Sequence, residues 1–247
     1  MADLTWGYPL IMTSLANQDL GELGGTWSVL TRQKRDHEKL DRLLEQLLAA
    51  SRAEQDAVLN RICRLVFPHA FAEESVLWPE LRRLLPDGEE LTLRVEREHQ
   101  EVNELVTSLE ADDLDPGQRQ QVIERLVTVL REDVRDEEDE LLPRLQQHVG
   151  EARLRRLGVA WEAVRRTAPT RPHPVVARRP PGNVLAALPL AVIDRSRDLV
   201  DGVSRRVPRR AAPGLARASQ WLAAGAGRIE HLGPLRRGED PSTRRSG

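Results

Sequence analysis

PHAFAEESVLWPEL, residues 68–81, and EDVRDEEDELLPRL, residues 132–145, are two versions of one pattern set 64 residues apart. Aligned without a gap, Glu73 and Glu74 fall on Glu137 and Glu138, Leu77 on Leu141, Pro79 on Pro143 and Leu81 on Leu145. His69 falls on Asp133. Each copy sets a ligand-type residue four positions before a glutamate, which puts both on one face of a helix. Ahead of each copy comes a segment with one histidine among charges, Asp36-His37-Glu38 and Glu98-His99-Gln100, 62 residues apart. The pattern reads as a doubled helix pair, each half bringing a lone histidine and an i, i+4 pair. Doubling a half-site is how a bundle builds a dinuclear metal centre between four helices.

Helical periodicity extends outward from both copies. A first helix is predicted from Trp27 to about Ala50, along Val29, Leu30, Leu40, Leu44, Leu47 and Leu48. A second runs from about Ala53 to Leu85, along Val58, Ile62, Leu65, His69, Glu73 and Leu77, with Pro68 expected to kink or interrupt it. Pro86-Asp87-Gly88 makes a turn into a third helix, about Glu89 to Glu110, along Leu91, Val95, His99, Val102 and Val106. A fourth, from about Gln118 to His148, follows a loop whose Pro116 suits a first helical turn. No segment alternates as a strand would.

The reading is therefore all-α: an antiparallel up-down four-helix bundle over residues 28–150. It is preceded by an irregular segment, 1–27, and followed by an additional short helix, 151–168, and a basic Pro/Arg-rich tail, 169–247. Pro169, Pro172, Pro174, Pro180 and Pro181 predict an extended linker at the head of that tail. The rest of it is expected to be largely disordered or partly helical, with short helical patterns near 189–207 and 214–232.

The net charge of −2 conceals a division. From Arg171 onward there are 15 arginines against 6 acidic residues, whereas residues 1–170 hold 22 basic and 33 acidic residues. An aromatic content of 3% argues against a stacking platform for single-stranded nucleic acid. One cysteine, Cys63, forms no internal disulfide and reads as a small core residue. With no leader pattern and no apolar run of bilayer length, the expectation is a soluble cytoplasmic protein, not a transmembrane one.

The core positions carry charge. Helical spacing puts His37 on the stripe of Leu40, Leu44 and Leu47, and His99 with Val95, Val102 and Val106. It puts His69 and Glu73 with Ile62, Leu65 and Leu77, and Asp133 and Glu137 with Leu126, Leu130 and Leu141. Burying one such group unpaired costs several kcal/mol, so six converging groups need a shared counter-charge, and two divalent cations supply it. Histidine and carboxylate donors without thiolate favour iron, manganese or zinc. Taken singly, a core histidine is more often hydrogen-bonded than metal-bound; the matched repeat tips the set towards metal. Glu74 and Glu138 read as solvated neighbours or as braces for the ligands. His148, His173 and His231 carry no assignment.

The order His37, His69-xxx-Glu73-Glu74 closing on Trp78-Pro79, His99, and a repeated acidic pair closing on Pro143 resembles the hemerythrin-type HHE cation-binding family over roughly residues 28–150. The resemblance implies a non-haem di-iron centre bridged by carboxylates from the second and fourth helices. His37, His69, Glu73, His99 and Glu137 match the family's ligands. Asp133 stands where a histidine ligand is usual, and Asn103 where the oxygen carriers have a second histidine one turn after His99. Both departures speak against reversible oxygen carriage. The implied role is handling a small oxidant (dioxygen, peroxide or nitric oxide) in sensing, detoxification under oxidative stress, or iron homeostasis, with peroxide- or oxygen-reducing activity left open. A different class of function stays open too: a degenerate bundle as scaffold, with Arg178-Arg179, Arg205-Arg206 and Arg209-Arg210 meeting nucleic acid, an acidic membrane or a protein. The tail has no nucleic-acid-binding motif. A histidine phosphotransfer bundle fits less well, because it needs one exposed histidine rather than several buried ones.

Overall fold

Polar caps set where the helices begin. In the computed structural model, which describes residues 13–111, 113–204 and 212–243, the Ser28 side chain accepts from the Leu30 N–H at 3.2 Å and opens α1, Val29–Ala49. At the head of α2, Arg52–Ala72, Glu54 reaches back to the Ser51 N–H at 3.0 Å. After α3, Trp78–Leu84, and α4, Gly88–Glu110, the same reciprocal cap recurs between Asp115 and Gln118. It starts α5, Pro116–Asp136, with Pro116 in the first turn as its fixed φ favours. Then come α6, Leu142–His148, α7, Glu151–Thr167, α8, Gly182–Ser204, and α9, Ala212–Glu230. No strand occurs among the described residues, and no helix there is long and apolar enough to cross a membrane.

The break in the second helical run is not where the sequence put it. The helix continues through Pro68, and the irregularity falls five residues later, as a π-helical turn at Glu73–Leu77 linking α2 to α3. Its copy occurs at Glu137–Leu141, linking α5 to α6. Both turns end two residues before a proline, Pro79 and Pro143. A proline cannot donate to the carbonyl four residues back and its ring crowds that carbonyl; a widened turn relieves the clash.

Packing divides the helices into two apolar layers with a polar layer between. One layer unites Leu40–Leu47 of α1, Val58–Phe67 of α2, Val102–Leu109 of α4 and Ile123–Leu130 of α5. The other unites Val29 and Leu30, Leu77–Leu85, Leu91 and Val95, Leu141–Leu145, and Leu154–Trp161 of α7. The chain meets the layers in alternating order along α1, α2, α4 and α5. His37, His69, Glu73, His99, Asp133 and Glu137 all fall where each helix passes from one layer to the other.

Helix α7 lies across α1 and α2 and brings Trp161 into the second layer. Close approach depends on Gly158: a Cβ there would meet the Trp27 carbonyl oxygen at 2.1 Å and the Val29 nitrogen at 2.9 Å. Those neighbours are backbone and cannot swing aside. Gly158→Ala is expected to destabilise the protein by about 2–3 kcal/mol through overpacking, read as a lower denaturation midpoint; an unchanged midpoint would show that α7 floats on the bundle.

Residues 168–178, expected as an extended linker, instead form a largely buried strap. The prolines keep it non-helical, so its backbone donors need other partners. Asp194 of α8 accepts the Thr170 and Arg171 N–H groups at 2.9 and 3.0 Å, and Asn103 of α4 accepts the His173 N–H at 3.0 Å. His173 Nε2 lies 3.1 Å from Asp194. Burial works against a charge on this imidazole, but Asp194 and Glu230 override it and lift its pKa to about 9. Arg171 pairs with Glu110, Asp198 and Asp201. Arg179 grips Glu96 at 2.7 Å and Glu89 at 2.6 Å, and Arg82 holds Glu96 from the other side. The negative bundle and positive tail are thus joined by internal ion pairs.

Candidate metal centre

The two halves of the repeat meet in the polar layer. His37 Nε2 and Glu137 Oε2 are 3.1 Å apart, and His69 Nε2 and Glu73 Oε1 are 3.0 Å apart. Across the layer, His99 Nε2 faces Asp133 Oδ1 at 3.5 Å, Glu73 Oε2 at 3.7 Å and Glu137 Oε1 at 3.9 Å. Donor atoms of His37, His69, Glu73 and Glu137 lie within 4.8 Å of one another, as do those of His99, Asp133 and Glu137. All six residues predicted from the sequence are brought together, and Glu137 belongs to both groups. All are buried, with Glu73 fully enclosed.

A cation fits this arrangement on chemical grounds. His37 Nε2, both oxygens of Glu73, both of Glu137 and Asp133 Oδ1 are buried without a hydrogen-bond partner. Orphaned acceptors at this density cost several kcal/mol unless something bonds to them together. The donors are nitrogen and oxygen only, and the Cys63 thiol is not among them.

Charge and burial oppose one another throughout the layer. Burial alone would depress His37, yet Glu137 and Glu138 raise it to about 9. Burial is likewise overridden at His99, lifted to about 10 by Asp133, Glu74 and Glu73. His69 is held well above its ordinary value by Glu73 and Asp36 against the same burial. Burial pushes Asp133 well up, with Glu137 and Glu73 adding and His99 opposing. Each imidazole is drawn towards its charged form by the carboxylates around it.

The far side of every ligand histidine is also occupied. His37 Nδ1 lies 2.8 Å from Glu138, His99 Nδ1 2.9 Å from Glu74, and His69 Nδ1 3.3 Å from Asp36. A donating Nδ1–H fixes the ring and leaves Nε2 with its lone pair turned inward. The braces cross over: the repeat's second glutamate on α2's π turn serves the histidine of α4, and its copy after α5 serves the histidine of α1. The π turns make this possible by burying consecutive residues, Glu73 with Glu74, on one helix.

Sequence reading left Glu74 and Glu138 open between solvated neighbour and brace; they brace. Asp36 and Trp161 were missed. The Trp161 ring stands edge-on to His69 at 5.2 Å, and Arg165 of the same helix lies 3.8 Å from Asp36. Trp161 carried a signal as an apolar position, but nothing in its period said which helix it would cover. Asn103 is engaged elsewhere: its Nδ2 donates to the His99 carbonyl at 2.9 Å and its Oδ1 holds the strap at His173. His148 and His231 bond back to their own helices, at Arg144 and Gly227, far from this chemistry.

Against known proteins, residues 28–145 match the hemerythrin HHE cation binding domain. An uncharacterized hemerythrin-like protein of Schizosaccharomyces pombe is 26% identical over 134 residues, covering 54% of this chain and 66% of that protein. The chain thus spans just under two thirds of that relative's length. No solved structure matches it.

Proposed function

We propose that residues 28–145, which match the hemerythrin HHE cation binding domain, form an up-down four-helix bundle holding two iron ions, which handles a small oxidant such as dioxygen, peroxide or nitric oxide. The observation that carries this reading is the convergence of six buried donor residues, in two groups that share Glu137, supplied by the two halves of the repeat. His37, His69 and Glu73 would hold one ion, and His99 with Asp133 the other; Glu137, and Glu73 through its second oxygen, would be shared. When bound, an iron pair supplies two electrons to a small oxidant.

The chain's own residues define what can reach the site. A cavity of about 20 Å³ touches His37, His69, His99, Asp133 and Asp36 and is otherwise lined by apolar groups such as Leu40, Leu65, Val66 and Leu130. This innermost space takes a water or a diatomic, and wider cavities of about 50 and 280 Å³ reach His99 and His37. Glu74, Glu138 and Asp36 keep the imidazoles aimed, and the apolar layers exclude bulk water from the donors.

Metal analysis of protein purified without chelator tests the reading. About two irons per chain are expected; fewer than ~0.2 of any transition metal after anaerobic reconstitution would sink it. The scaffold alternative is weakened by the tail's own pairing: Arg178 lies 3.7 Å from Glu74 and its side chain donates to Gln100, while Arg179 is spent on Glu96 and Glu89. Arg205-Arg206 and Arg209-Arg210 lie outside the described residues.

A further inference from the structure

Helix α8 faces the wrong way for a surface helix. Its acids turn inward: Asp194 onto the strap backbone, Asp198 and Asp201 onto Arg171. Ala186 and Leu190 pack with Ala226 of α9. The face left to solvent is apolar apart from Arg195, whose guanidinium turns back to donate to the Arg166 carbonyl at 2.6 Å. Val184, Leu185, Leu188, Val192, Leu199 and Val203 are all exposed, Leu188 and Val192 at 65% and Leu199 at 70%.

Their spacing, 184, 188, 192, 199 and 203, follows one side of the helix for ~28 Å at 1.5 Å per residue. Trp221 on α9 is 79% exposed, the most of any large hydrophobic among the described residues. Elsewhere exposed large hydrophobics are scattered singly, as at Leu20, Leu48 and Val159. A stripe of this kind, interrupted at Arg195, marks a surface that something covers.

Charge selects the occupant. Residues 205–247 hold ten arginines against three acidic residues, and the segment joining α8 to α9 reads Arg205-Arg206-Val207-Pro208-Arg209-Arg210. Within the described part, Arg217, Arg228, Arg236 and Arg237 are exposed and make no ion pair. A second copy would bring the same positive charge against itself. An anionic bilayer offers both complements at once, acyl chains for the stripe and headgroups for the arginines, with tryptophan suited to the boundary.

We infer that the α8–α9 hairpin docks on the surface of an anionic lipid bilayer, lying in the interface with the Val184–Val203 stripe turned into it and the bundle held above. The inference does not depend on the metal centre.

The test is co-sedimentation of the full-length protein with phosphatidylcholine vesicles, with and without about one third phosphatidylglycerol, at low and high salt. Partitioning at least ~10-fold stronger onto the anionic vesicles is expected, falling with salt and accompanied by a blue shift of tryptophan emission that Trp221→Phe removes. A double variant, Leu188→Glu with Leu199→Glu, alters exposed positions only; with circular dichroism unchanged, it should abolish binding. Equal binding to neutral vesicles, no binding at low salt, or full binding by the double variant would each overturn the inference. So would a concentration-dependent dimer that the double variant dissociates, since the stripe would then belong to a second copy.

Discussion

Glu137→Ala is expected to empty both metal positions, lowering iron from about two to well below one per chain, whereas Asp133→Ala should lose mainly one. The asymmetry comes from the donor groups: Glu137 lies within reach of both, Asp133 of one only. Removing a residue that merely braces a ligand costs 10–100-fold in affinity, so losing a shared donor should cost more than ~100-fold. Asp133→His restores the residue type that the first copy carries at His69. It should keep or tighten binding, because imidazole reaches further from the same Cα as a neutral donor. Anaerobic titration with elemental analysis reads all three variants. If Asp133→Ala leaves stoichiometry and affinity untouched, the fourth helix contributes Glu137 alone.

Stripping the metal should lower the melting temperature by roughly 6–16 °C. A ligand bound only by the folded state stabilises it by about 3–4 kcal/mol at 100–1,000 times its dissociation constant, and a chain of this size shifts by about 2–4 °C per kcal/mol. The loss should centre on the polar layer, where Glu73, Glu137 and Asp133 retain orphaned oxygens. The two apolar layers keep their own contacts, so helix content should survive while that layer loosens. Equal melting curves for stripped and loaded protein would contradict a shared counter-ion.

What the sequence disclosed and what it hid divide along a physical line. Periodicity and the doubled pattern carry information within a helix, so the helical runs and all six inward polar residues were legible, down to Pro116 opening α5. Contacts between elements distant in sequence leave no such trace. Nothing in the period of α7 announced that Trp161 would stand against His69. Nothing in five prolines announced that their segment would be buried, because its partners, Asp194 and Asn103, lie 24 and 70 residues from the donors they meet. The prolines were read as an extended linker, and the segment is non-helical but largely buried. Pro68 misled in the opposite sense, since the turn widens ahead of Pro79 instead.

The paired π turns also bear on the order of events in this chain's past. A π turn is an α-helix with one residue too many, so each marks a single-residue insertion. Two independent insertions would have had to strike the same step of two helices, beside equivalent glutamates and ahead of equivalent prolines. One insertion in an ancestral helix pair, copied when that pair was duplicated, accounts for both. On that history the crossed bracing ties the two copies together, each copy's second glutamate holding the other copy's histidine.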